Sequence, residues 1–113
     1  MLNFTTIKTI LDDDNDVLFA LLSTYIEDFG DVEQKLEALY QAEDWQALFL
    51  LSHSLKGTLR VLEEADVSPV LERIEHQSRE GEAPELNDVK KALTELASIK
   101  SQIEHYLAAE MAG

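Results

Sequence analysis

The chain has 113 residues, with nine Lys+Arg against 23 Asp+Glu, a formal charge of −14 with His neutral. Its length fits a single domain, residues 1–113, and its apolar fraction of 45% supplies a core that a disordered acidic tail would lack. The charge argues against nucleic acid or an anionic membrane surface as partner, since both require a basic footprint.

In chain order, Phe4, Ile7 and Leu11 mark a short first helix, stopped by Asp12-Asp13-Asp14. With Asn15 or Asp16 as cap, that acidic cluster opens a second helix, because carboxylates are favoured at a positive helix N-terminus. Its apolar stripe runs Val17, Leu18, Leu21, Leu22, Tyr25, Ile26, Phe29, Val32, Leu36, Leu39, Tyr40. Gly30 sits within that stripe and implies a bend. A third helix starts near Asp44 and runs past Gly57 to about Glu64. A fourth covers Val70 to Glu80, with Ser68-Pro69 suited to its first turn and Gly81 to its end. The fifth follows Pro84 or Asn87 and carries Val89, Leu93, Leu96, Ile103 and Leu107. No segment alternates apolar and polar over a strand length, so the fold class is all-α. Short connections between long amphipathic helices favour an antiparallel up-and-down four-helix bundle with the short N-terminal helix added.

Zero Cys removes disulfide frameworks, thiol catalysis and Cys-rich zinc sites, and fits a reducing compartment. The longest apolar run, Val17 to Leu22, is too short for a membrane span or signal core. A cytoplasmic monomer is expected, and Met1 suggests a free-standing protein, with a module cut from a longer chain and given an added Met as the alternative.

The third helix carries the chemistry. At 100° per residue, with Leu48 at zero, Leu51, Leu55, Leu59 and Leu62 fall at roughly 300°, 340°, 20° and 320°, a tight core stripe. His53 falls at roughly 140°, with Phe49, Lys56, Gly57 and Arg60 between roughly 80° and 180° around it. An outward imidazole is a good nucleophile near neutral pH, and a ring nitrogen can take a phosphoryl group. Lys56 at i+3 can balance charge on the product phosphate, and Arg60 at i+7 can reach toward it from the next turn. Gly57 at i+4 removes a side chain where a partner must approach the imidazole. Phe49 and Leu50 offer that partner an apolar contact. An isolated H-x-x-K is usually an ordinary solvent-facing pair; the mid-helix Gly weighs against that reading. His76 and His105 have no matching constellation, and no HxxxH or Glu-x-x-His spacing points to a metal. No Gly-rich phosphate loop or kinase signature is present, so no cofactor is expected on this chain.

Ser52-His53-Ser54-Leu55-Lys56-Gly57-Thr58 resembles the core motif of histidine-containing phosphotransfer (HPt) domains, commonly A-H-x-L-K-G-S. The resemblance extends upstream to Ala42-Glu43-Asp44-Trp45, similar to the family's turn into the histidine helix. Downstream, Leu71-Glu72-Arg73-Ile74-Glu75 matches an L/C-x-x-L-E pattern. The resemblance implies that His53 is the phosphoryl acceptor, with Lys56 and Gly57 its usual neighbours. It implies no ATP-dependent kinase activity and reversible transfer with an aspartyl phosphate on a response-regulator receiver domain, which would bring Mg²⁺. A hybrid sensor histidine kinase is the other implied partner. The chain departs from the family where Arg60 and Glu63 stand at two usual glycine positions, which bears on partner identity. The alternative is an HPt-like interaction module that binds a receiver or kinase without carrying phosphate.

Overall fold

In a computed structural model that describes residues 2–112, the chain forms six helices and, among those residues, no strand. Met1, on which the free-standing reading rests, lies outside the described residues. The helices are α1 (Phe4–Ile10), α2 (Asn15–Phe29), α3 (Val32–Gln41), α4 (Trp45–Val61), α5 (Ser68–Arg79) and α6 (Leu86–Ala112). None of them is long and apolar enough to cross a membrane.

Two expectations about α2 and α3 are corrected by the geometry. The cap of α2 is Asp14, whose Oδ1 accepts from the backbone N–H of Asp16 and Val17, so Asn15 is already helical. The bend expected at Gly30 is a full break, dividing the second helix into α2 and α3. A Cβ at Gly30 would lie 2.5 Å from the Ile26 carbonyl oxygen, closer than real Cβ atoms come to a backbone atom. Glycine there lets the chain turn tightly while its N–H still bonds Ile26 O at 2.8 Å.

The core is built from one stripe of each helix. Leu18, Leu22, Leu36, Leu48, Leu55, Leu59, Leu71, Ile74, Leu96 and Ile103 are fully buried, and each contributes about 2 kcal/mol. The expected stripe of the histidine helix is present, with Leu51 half-buried at its edge. Phe4 of α1 stacks on Tyr106 of α6 at 4.6 Å between ring centres. The histidine-bearing α4 packs most extensively on α5, and that pairing sets the geometry of the site.

Both ends of α4 are fixed by local chemistry. Asp44 Oδ1 accepts from Ala47 N at 3.2 Å and starts the helix. Just before it, Glu43 closes α3: its N–H bonds Tyr40 O and that of Asp44 bonds Leu39 O, both at 3.1 Å. The same paired closure ends α4, where Glu63 N bonds Arg60 O and Glu64 N bonds Leu59 O. It requires a left-handed residue, and Glu63 adopts φ 56°, so α4 stops at Val61 and not near Glu64. Glu64 then folds inward, and its Oε1 accepts from the N–H of Asp66 and Val67. The Ser68 hydroxyl donates to the Glu64 carbonyl, which ties the entry of α5 to the exit of α4.

Glu43 at φ 55° carries the strain of a side chain in the left-handed region. Glu43→Gly is therefore expected to stabilise the fold by about 1 kcal/mol, after allowing for glycine's freedom in the unfolded chain. A thermal melt should show this as a rise of about 4 °C or more; an unchanged or lower midpoint contradicts it.

Candidate functional site

His53 sits on the outward face of α4, with its side chain 65% exposed. The ring is nevertheless held. Its Nδ1 lies 2.6 Å from Oε1 of Glu75, which projects from α5. On the other side, the Phe49 ring lies 6.1 Å away between centres, tilted by 36°.

Glu75 occupies a position of the buried stripe of α5, among Leu71, Ile74 and Ser78, and is itself buried. A carboxylate there needs partners, because a lone buried charge costs several kcal/mol. It has two. One oxygen meets His53 Nδ1, and the other forms an ion pair with Lys56 Nζ at 2.5 Å. Burial pushes the Glu75 carboxyl up, but the Lys56 ammonium and the His53 ring outweigh it and hold it below the usual carboxylate range.

The state of the imidazole follows from this arrangement. An ionised carboxylate has no proton to give, so the proton in the 2.6 Å contact belongs to Nδ1. With Nδ1–H donating to Glu75, the neutral ring carries its free lone pair on Nε2. Nε2, the nitrogen that Glu75 does not engage, is thus the one able to act as a nucleophile.

The other residues singled out from the sequence fall into two groups. Gly57 and Arg60 are exposed on the same face as His53, and Phe49 and Leu50 flank it, with Leu50 56% exposed. A Cβ at Gly57 would meet nothing within 4 Å, so nothing inside the protein requires glycine there. Lys56 is placed differently from expectation. Its side chain is only 13% exposed and its ammonium is engaged by Glu75. Arg60 forms no ion pair among the described residues.

Sequence reasoning quoted Glu75 as part of a pattern but gave it no role. The signal was its place: a charged residue at i+4 from Leu71 lies on the buried side of α5, where a carboxylate implies a partner. Ser52 is fully buried and its hydroxyl has no partner among the described residues, which costs stability and does not add to it. His76 and His105 are exposed; His76 and Arg79 line a hollow beside Lys56 and Glu75.

A family model described as "Hpt domain" matches residues 20–99. No curated protein and no solved structure matches the chain.

Proposed function

The chain belongs to the Hpt domain family, and from that premise we propose that it is a phosphorelay intermediate. Its family places it in histidine phosphotransfer of two-component signalling. In the proposed reaction His53 accepts a phosphoryl group from the aspartyl phosphate of one receiver domain and passes it to another. The observation that carries this is the exposed imidazole whose Nδ1 is tied to a buried carboxylate.

The Nε2 lone pair attacks phosphorus in line with the leaving aspartyl oxygen; the P–N bond forms as the P–O bond breaks, and the carboxylate departs. The phosphorylated ring then carries positive charge, with its proton still on Nδ1. Glu75 is already in place to stabilise that charge, with no reorganisation needed. Stabilisation without Lys56 would be too strong, since an uncompensated carboxylate would favour a protonated ring and remove the lone pair. Lys56 therefore acts through Glu75 and moderates it. In the reverse direction the phospho-imidazolium is a good leaving group, and the same contacts serve both directions. Charge balance on the phosphoryl oxygens and the Mg²⁺ are assigned mainly to the receiver, whose carboxylates would hold the ion.

The same reading extends to setting and architecture. We take the protein as a cytoplasmic monomer served by a hybrid sensor kinase. Its α2–α3 pair, α4, α5 and α6 act as the legs of an antiparallel up-and-down bundle, with α1 as the added short helix. The packing of α4 on α5, α5 on α6 and α6 on both α2 and α3 supports this arrangement.

The test is incubation with phosphorylated receiver domains, followed by assay for acid-labile, alkali-stable label. Label on the wild type and none on His53→Gln is expected. A wild type that stays unlabelled across a panel of receivers, or a His53→Gln variant that labels equally, refutes the reading. Receiver binding that persists in His53→Ala while no transfer occurs would instead favour a module that only binds.

A further inference from the structure

We propose that Arg60 and Glu63 form a partner-selecting charge pair at the C-terminal end of the His53 face, a reading that rests on the transfer function above. Arg60 lies seven residues beyond His53, about 10 Å along the helix axis and nearly in line with it. At that distance its guanidinium faces the rim of a docked receiver, beside the aspartyl phosphate. Lys56, the other cation of α4, is occupied by Glu75, so Arg60 is the cation that the histidine helix offers a partner. In a chain of net charge −14, an exposed arginine beside the nucleophile with no ion pair among the described residues is a local exception.

Glu63 supplies the opposite sign. It is exposed, in a left-handed conformation that glycine would adopt without strain. Arg60 and Glu63 line the same hollow of about 300 Å³ at the α4–α5 turn, with Ala65, Ser68, Pro69 and Glu72. Arg60 is the cation of that rim, whereas Glu63 and Glu72 are exposed acids. The pattern read outward from His53 is therefore nucleophile, then positive, then negative. It fits a receiver that presents an acidic side chain next to its phosphoaspartate and a Lys or Arg farther out, entering the hollow. Such a pairing discriminates between receivers by rewarding one charge order and opposing the reverse.

The experiment uses one phosphorylated receiver domain that labels the wild type, in two versions bearing either an acidic or a basic residue on the rim facing Arg60. The ratio of kcat/KM for the two versions is measured with the whole chain. The wild type is expected to prefer the acidic version at least tenfold, mainly through KM, and the preference should weaken with added salt. Arg60→Glu should reduce the ratio at least tenfold, Arg60→Lys should largely keep it, and Arg60→Glu combined with Glu63→Arg should invert it. A ratio that stays within twofold in Arg60→Glu overturns the proposal. So does a fall confined to kcat and equal for both receivers, which would place the cation on the phosphoryl group itself. Failure here is separable from failure of the transfer function: a wild type unlabelled on His53 by every receiver sinks the latter, whereas label without charge preference sinks only the selecting pair.

Discussion

Glu75→Gln is expected to slow phosphoryl transfer to His53 by about two orders of magnitude, the usual scale for losing a group that sets an imidazole's proton and orientation. The amide is close in shape to the carboxylate, so the effect comes from charge and not from packing. Without the anion, Nδ1 can face the side-chain oxygen or nitrogen with similar ease, and the ring loses its preference for a free Nε2. The phospho-imidazolium also loses its counter-charge. Lys56, only 13% exposed, is left beside a neutral amide, which should cost about 2 kcal/mol of stability.

The pH dependence separates this from a packing defect. In the folded protein the Glu75 carboxyl is held below its ordinary value, so its contribution is present above the unfolded value, near pH 4.3, and is lost as pH falls through the lower folded one. The melting difference between wild type and Glu75→Gln should thus be constant from about pH 6 to 8 and shrink below about pH 4. Lys56→Met combined with Glu75→Leu should recover most of the melting temperature while transfer stays impaired, because packing is restored and the carboxylate is not. Transfer within threefold of wild type in Glu75→Gln would refute its role.

What the sequence made legible, and what it did not, follows one physical division. Periodicity located the stripes of α2 to α6 because burial of an apolar face is a property of each helix taken alone. It also turned His53, Gly57 and Arg60 outward together, since one helix sets their relative angles. The break at Gly30 was visible only as a bend, because apolar spacing continues through it; the limit is a steric contact with the Ile26 carbonyl. The end of α4 was placed too late for a related reason. Glu63 looks like a helix former, and only the paired closing hydrogen bonds force it into a glycine conformation. Lys56 was assigned to the phosphate because i+3 spacing puts it near His53. What claims its ammonium lies across the interface on α5, at a separation in the chain that no local pattern encodes.

Gly57 is where stability and function should move in opposite directions. Gly57→Ala ought to stabilise the fold by about 1 kcal/mol, because a mid-helix glycine is a poor helix former and the added Cβ meets nothing. Larger side chains at this position are equally harmless to the bundle, since the site is exposed. They are not harmless to a partner. Helical side chains lean toward the N-terminus, so a residue at 57 covers the surface one turn back, where the His53 imidazole stands. The aspartyl phosphate of a receiver must come to about 3–3.5 Å of Nε2, and a displacement of about 1 Å can cost a hundredfold. Gly57→Gln is accordingly expected to lower kcat/KM for a phosphorylated receiver by about 10²-fold while raising the melting temperature. Labelling by phosphoramidate, a donor small enough to pass beside the new side chain, should fall far less. The comparison matters because a loss of equal size with both donors would mean the imidazole itself had been disturbed. A variant that transfers from receivers at the wild-type rate would show that the bare surface at Gly57 serves no partner.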